Sequence, residues 1–191
     1  ISKSHNNKYD FDFAIGDGVY IVDNNFYDST PENERVILKP LYKNSDISRW
    51  ATNSKTNKYV IYSSSKTVID SYPYIKNHLS KYRDLIEKIR TNDGEPWFSL
   101  VRPREEKTFN EEKIVVSQRS LHNNFAYNDF PFYGSSDIYY IKESNSDFPI
   151  FYLLGVLNSK IMYTWLYHRG KRKGQMLELY RTPLSEIPIA S

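Results

Sequence analysis

Two stretches of this chain carry apolar residues at helical spacing, and everything between them consists of short apolar runs separated by polar turns. That pattern limits the fold most. In the first stretch Ile75, Leu79, Tyr82, Ile86 and Ile89 recur on one face, with Lys76, Lys81, Arg83, Asp84, Glu87 and Lys88 mostly on the other. Asp70 or Ser71 is expected to cap this helix, Pro73 stands in its first turn, and Asn92-Asp93-Gly94 ends it. In the second, Asp147 is the expected cap, Pro149 falls in the first turn, and Ile150, Leu153, Leu154, Leu157, Ile161 and Trp165 form the buried stripe, stopping near Gly170.

The remaining runs read as about seven strands: Phe13 to Asp23 after a Gly16-Asp17-Gly18 turn, Val36 to Leu38 ended by Lys39-Pro40, Tyr59 to Tyr62, Phe98 to Val101, Lys113 to Ser117, Phe125 to Tyr127 and Ser136 to Ile141. Tyr59 to Tyr62 is apolar without alternation, as a central strand is. Asn24 to Glu34 and Ala51 to Lys58 read as polar loops, and Lys43, Asp46, Arg49 and Trp50 as one or two helical turns. Strands cluster and do not alternate with helices, so the expected class is α+β and not a doubly wound sheet. At 191 residues the chain is expected to form a single domain, residues 1–191, cut from the C-terminal part of a larger enzyme, because it starts on polar residues without a cap.

With 17 Tyr, 10 Phe and 3 Trp, aromatic rings supply much of the core volume and leave tyrosines for binding surfaces. The absence of cysteine excludes disulfides, thiolate metal sites and a cysteine nucleophile, and makes the cytoplasm the expected compartment. The longest apolar run, Phe148 to Leu157, is interrupted by Pro149 and Gly155 and is too short to span a bilayer. A net charge of +3 does not decide on a partner, so the placement of cations matters more than their number.

Cations concentrate in two places. Between Trp97 and Ser120, Arg102 and Arg104 follow one expected strand, an acidic turn runs from Phe109 to Glu112, and Gln118 and Arg119 leave the next strand. Arginine and glutamine are the side chains that contact guanine and adenine edges in a bidentate way. The second place is His168-Arg169-Gly170-Lys171-Arg172-Lys173-Gly174-Gln175, which reads as a mobile basic loop closing on phosphates.

Catalytic patterns are poorer. The tetrapeptide of adenine amino-methyltransferases, Asn or Asp followed by Pro-Pro and an aromatic residue, does not occur; Asp129-Phe130-Pro131-Phe132 lacks the second proline. The Gly16-Asp17-Gly18 pair has Ile21 where a dinucleotide loop has its third glycine. A metal nuclease drawn from Asp93, Glu111 and Lys113 lacks its Pro-Asp. His122-Asn123-Asn124 has no second histidine in register, and His5, His78, His122 and His168 show no zinc spacing.

Several phrases together resemble one family, the TaqI-like C-terminal specificity domain. They are Ile15-Gly16-Asp17-Gly18-Val19-Tyr20-Ile21, Leu38-Lys39-Pro40, Asp46-Ile47-Ser48-Arg49-Trp50, Lys58 to Tyr62, and Tyr72-Pro73 with its helix to Arg90. Trp97 to Arg104, Phe109 with Lys113-Ile114-Val115, Leu157-Asn158-Ser159-Lys160, Thr182-Pro183-Leu184 and Ile187-Pro188 continue the order. The resemblance implies the target recognition domain of a bacterial adenine-specific, restriction-modification DNA methyltransferase. Its partners would be double-stranded DNA and an N-terminal catalytic domain that extrudes an adenine and methylates it from S-adenosylmethionine.

On that reading Arg102, Arg104, Gln118, Arg119 and Gln175 are the candidates for base edges, while Lys39, Lys43, Arg49, Arg169, Lys171, Arg172 and Lys173 are the candidates for phosphates. Tyr127 and Tyr133 are candidates for sugars or an unstacked base, or for the core. Trp97 and Phe109 are expected in the core. No cofactor or metal is expected in this chain, with the methyl donor bound elsewhere in the parent. The competing reading is a protein-interaction domain of a multi-subunit complex, and a weaker one is a standalone nuclease.

Overall fold

The computed structural model describes residues 18–90, 94–142 and 148–189, so the Gly16-Asp17 turn, the Asn92-Asp93 stop and the Asp147 cap lie outside the described residues. The chain divides into two compact units, residues 1–41 with 57–105 and residues 42–56 with 106–191. The class is α+β throughout.

The first unit has three antiparallel strands in the order β1-β4-β2: β1 (Ile21–Asp23), β4 (Lys58–Ile61) and β2 (Leu38–Tyr42), whose last residue already belongs to the second unit. The 58–61 strand is central, as its unbroken apolar run implies, with Ile21↔Val60 on one side and Leu38↔Ile61 on the other. The polar stretch after β1 is a helix, α1 (Asn24–Ser29), because Asp23 caps it by accepting from Phe26 N at 3.1 Å. Val36 and Ile37 belong to a 3₁₀ helix, Glu32–Ile37, and the strand begins at Leu38 and continues through Lys39-Pro40.

The first long helical pattern is two helices, α2 (Pro73–Ser80) and α3 (Arg83–Ile89). Its cap comes from a distant residue: Glu34 is buried and accepts from Tyr74 N at 3.1 Å and Ile75 N at 3.0 Å. These are helix N-terminal amides without an intrahelical partner, and a carboxylate there also suits the helix dipole. Ile75, Leu79 and Ile86 are buried as expected, but the break at Lys81-Tyr82 turns Leu85 inward and leaves Ile89 exposed.

Phe98 to Val101 is a turn and not a strand. Two of its carbonyls are claimed by side chains: Arg90 and Tyr20 Oη, the latter at 3.1 Å, donate to Ser99 O, and Ser63 Oγ donates to Phe98 O at 2.6 Å. Trp97 packs partly buried against Ile75, Leu79 and their neighbours.

The second unit is built on β5 (Lys113–Ser117), buried along its whole length between β7 (Phe125–Asn128) and β9 (Ile138–Ile141), with β3 (Trp50–Ala51) parallel to β7 at the edge. Side chains alternate across a strand, so Ile114 and Val116 face one layer and Val115 the other. The first layer holds Phe125, Leu154, Leu157, Met162, Leu166 and Leu177. The second holds Tyr42, Ile47, Ala126, Phe132 and Ile138, with Tyr42 and Phe132 stacked at 4.3 Å. Burying each of the large side chains among them contributes roughly 2 kcal/mol. The expected acidic turn before β5 is a one-turn helix, α4 (Lys107–Asn110), whose Phe109 is buried against Tyr133 in β8 (Tyr133–Gly134).

The second helical pattern also divides, into α5 (Ile150–Leu157) and α6 (Lys160–His168), at Asn158-Ser159. Ser159 caps α6, accepting from Met162 N at 3.1 Å. Asn158 is fully buried, and its side chain acts like a strand neighbour: Nδ2 donates to Phe125 O at 2.8 Å and Oδ1 accepts from Phe125 N at 3.1 Å. The break shifts the stripe by one residue. Met162 and Leu166 are buried, whereas Ile161, expected in the core, is 82% exposed and Trp165 is only partly covered.

The run expected as a mobile basic loop is an ordered hairpin, β10 (Lys171–Lys173) and β11 (Met176–Glu178), joined to β6 (Arg119–Ser120) as a three-stranded antiparallel sheet. The chain then forms α7 (Arg181–Ser185) before Ile187.

Removing the Asn158 side chain takes away its bonds to both Phe125 backbone groups and leaves the amide only the 3.2 Å bond to Asn123 O. Asn158→Ala is expected to cost on the order of 2–4 kcal/mol, measured as a lowered urea midpoint with an unchanged denaturant slope.

Candidate nucleic-acid interface

Cations and a glutamine come together on the β10-β11-β6 sheet of the second unit. Gly174 has φ +62° and opens the two-residue turn Gly174-Gln175, the position at which this kind of hairpin turn needs a left-handed residue. The turn therefore presents Gln175 at the tip. Lys171, Arg172 and Lys173 are all exposed along β10, the edge strand.

Register places Lys171, Glu178 and Arg119 directly opposite one another across the three strands, a row of charges in the order plus, minus, plus. Arg119 Nε donates to Glu178 Oε1 at 3.2 Å, its Nη2 donates to Tyr180 Oη at 2.7 Å, and Lys171 Nζ lies 3.5 Å from Glu178 Oε2. Burial by itself raises the Glu178 carboxyl, but the Arg119 hydrogen bond and the Lys171 charge outweigh it and hold the group below its ordinary value. The same bonds, to Glu178 first and then Tyr180, push the Arg119 guanidinium up. Tyr180 lies under both cations, 5.9 Å from Arg119 and 5.3 Å from Lys171, and Arg172 sits 4.0 Å over the Tyr167 ring. Lysine and arginine on an edge strand also guard against edge-to-edge pairing. That role does not require a buried carboxylate to hold two of the cations in register.

The other candidates are dispersed. Gln118 continues the end of β5, with its backbone engaged to Asp137 O at 2.7 Å and Leu179 N at 2.8 Å, and its side chain is half-buried. Arg169 caps the end of α6 and is exposed. Arg49 donates through Nη2 to Asn158 O and stacks 5.2 Å from the Trp50 ring. Lys43 is exposed before a single 3₁₀ turn, Asn44–Asp46, which replaces the expected helical turns. Lys39, Arg102 and Arg104 belong to the first unit, the last two exposed on irregular chain, with Arg104 O accepting from Tyr62 Oη.

Sequence reasoning put Trp50 in a helical turn and missed its backbone conformation. Among the described residues it is the one non-glycine with a left-handed backbone, φ 82°, and it is 46% exposed. Ser48 N→Ala51 O at 3.0 Å and Asn53 N→Asp46 O at 2.8 Å pin the chain on either side and keep it there. A bulky residue is held in this region only where its surroundings over-determine it. No local motif marks such a position. Also unforeseen is an apolar groove of about 570 Å³ along α5 and α6, lined by Phe151, Tyr152, Ile161 and Trp165 among others.

Of the two tyrosines considered for DNA, Tyr133 is buried and Tyr127 donates to Glu112 at 2.5 Å, a bond that pushes its hydroxyl up to about 12. The nuclease residues are also otherwise engaged. Glu111 pairs with Lys142 at 2.6 Å, and Lys113 is buried with Nζ donating to Glu111 O at 2.8 Å and Phe130 O at 3.1 Å; Asp93 lies outside the described residues.

Comparison with known proteins adds a family. The profile of the TaqI-like C-terminal specificity domain matches residues 39–189. Type II methyltransferase M.MjaIV of Methanocaldococcus jannaschii is 26% identical over 152 residues, 75% of this chain and 51% of that protein. Type II methyltransferase M.BstVI of Geobacillus stearothermophilus is 26% identical over 196 residues, 97% of this chain and 33% of that protein. M.HincII of Haemophilus influenzae is 28% identical over 131 residues, 64% of this chain and 26% of that protein. The chain thus spans between about a quarter and a half of these relatives. Among solved structures, the type IIL restriction-modification enzyme MmeI, determined in complex with DNA, shares the fold with a TM-score of 0.62 at 11% identity, over 87% of this chain and 22% of that one.

Burial, and next the charge of Lys142, lower the Lys113 ammonium to about 8. Between pH 8 and its ordinary value near 10.5 the unfolded chain holds a proton that the folded chain has released, so stability rises with pH across that window. Urea denaturation at pH 8, 9 and 10 is expected to show this rise, on the order of 2 kcal/mol in total, and Lys113→Met is expected to abolish it.

Proposed function

The chain belongs to the TaqI-like C-terminal specificity domain family, and on that premise we propose that it reads a short site in duplex DNA for a restriction-modification methyltransferase that modifies adenine at N6. The catalytic domain and its methyl donor, S-adenosylmethionine, belong to the parent outside this chain, and residues 1–191 act together as its target recognition part. What carries the reading is the β10-β11-β6 sheet, where a buried glutamate fixes two cations beside a basic edge strand and a glutamine-tipped turn.

The division of labour follows from where each side chain lies. Lys173 and Arg172 hold backbone phosphates, joined by Lys43, Arg49, Arg169 and Lys171 from the same unit and Lys39 from the other. Gln175, at the end of a two-residue turn, is the best placed to meet a base edge, with Gln118, Arg102 and Arg104 as further readers. Arg119 has given Nε and Nη2 to Glu178 and Tyr180, so it offers a base only the Nη1 side of its fork.

A second reading, an assembly domain, is favoured by the apolar groove along α5 and α6. The two readings separate on duplex binding by the chain at low and moderate salt, because an assembly domain has no reason to show the steep dependence that counterion release produces.

Lys173→Ala is expected to weaken binding to every duplex sequence alike and to make the plot of log K against log salt shallower by about 0.9. In the parent enzyme Gln175→Ala is expected to lower methylation of the target by at least tenfold, consistent with about 1–3 kcal/mol for a bidentate base contact. Nonspecific binding should change little. Equal losses in both would make Gln175 a backbone contact.

A further inference from the structure

A polar concavity lies in the same unit, at the corner between α5 and α6. It has a volume of about 350 Å³ and is lined by Arg49, His122, Asn124, Ser159, Lys160 and Tyr163, with the buried Asn123 and Asn158. Two permanent cations and an imidazole line it, and none of its lining residues is acidic.

Its walls are built and not incidental. Asn123 is buried and Nδ2 donates to Leu157 O at 2.7 Å and to Ser159 O at 3.0 Å, fastening the strand-side loop to the corner between α5 and α6. Asn158 fastens the same corner to Phe125 on β7, and its carbonyl accepts from Arg49 Nη2. Arg49 is thereby held at the rim by one edge of its guanidinium. Lys160 and His122 are exposed, and the His122 and Tyr163 rings lie 6.0 Å apart.

A cavity of this size is at the small end of ligand clefts, which run from about 300 to 1,000 Å³. It is larger than a lone phosphate needs. Cations beside aromatic faces are how proteins hold the backbone of a nucleic acid, the charge meeting the phosphate and the ring meeting the sugar or base.

We propose that this cavity seats one sugar-phosphate unit of the DNA backbone, its phosphate between Arg49 and Lys160 and its deoxyribose against Tyr163 and His122. The inference rests on the DNA-binding reading and extends it: the duplex is held at two places on the second unit, the hairpin sheet and this corner. Lys160, not among the site residues expected from sequence, becomes a phosphate contact.

The test uses the 191-residue chain with a duplex of random sequence, titrated across salt. Lys160→Gln is expected to lower affinity severalfold at low salt and to make the salt slope shallower by about 0.9, one phosphate contact. Lys160→Arg keeps the charge and is expected to restore the slope. Circular dichroism checks that both variants are folded. An unchanged slope in Lys160→Gln, or a loss that Lys160→Arg does not restore, overturns the cavity assignment while the hairpin interface stands. A wild-type chain whose affinity does not respond to salt overturns the DNA-binding reading and this seat with it.

Discussion

The second unit depends on one side-chain amide. Asn158 is fully buried at the corner of two helices, and the partner it finds is the backbone of Phe125, through both its donor and its acceptor. A buried amide that makes both bonds is neutral or favourable, and one that makes neither is costly. The helix pair can therefore pack on β5 and β7 in one register only. Met162 and Leu166 then face the core and Ile161 faces outward. Through its carbonyl the same residue fixes Arg49, and through Asn123 the neighbouring loop is tied to the same corner. Packing, helix phase and the position of a cation all follow from that contact.

A comparable economy governs the hairpin sheet. Glu178 is buried beside two cations and remains ionised because they stand directly opposite it across the strands. Each charge fixes the others, so Arg119 and Lys171 have defined positions where free surface side chains would sample many. Long cationic side chains lose rotamer freedom when they bind, and a sheet that has already ordered two of them reduces that loss. Glycine at position 174 makes the tight turn possible, since φ +62° is open to it without a Cβ clash.

What was legible beforehand depended on how local the cause was. The strands 58–61 and 113–117 are built on the unbroken apolar runs Tyr59-Val60-Ile61 and Ile114-Val115-Val116, and such runs suit central strands. The helical stretches were visible by period, but their breaks were not, because a 3.6-residue stripe continues across Asn158-Ser159 and Lys81-Tyr82 without losing phase by eye. Asn-Ser inside a helix is itself a cap signal, and it was the clue available. Of the site, the basic run at 171–173 was seen as cations but not as a strand. Its three residues are all polar, and only Leu177 and Glu178 on the paired strand give the hairpin something to bury. Phe98 to Val101 failed for the opposite reason: its composition suits a strand, but Ser63 had taken the carbonyl of Phe98, and Arg90 and Tyr20 that of Ser99.

By itself the sequence determined the α+β class, the family and the residue types from which an interface can be made, since these depend on composition, periodicity and the order of phrases along the chain. Tertiary structure alone decided which of those residues meet. Glu34 caps a helix some 40 positions away, Glu178 finds Arg119 across 59 residues, and Arg49 finds Asn158 across 109. The physical reason is that a charge or amide buried far from its partner in the chain is costly until folding supplies that partner, and no local pattern records where the partner will come from.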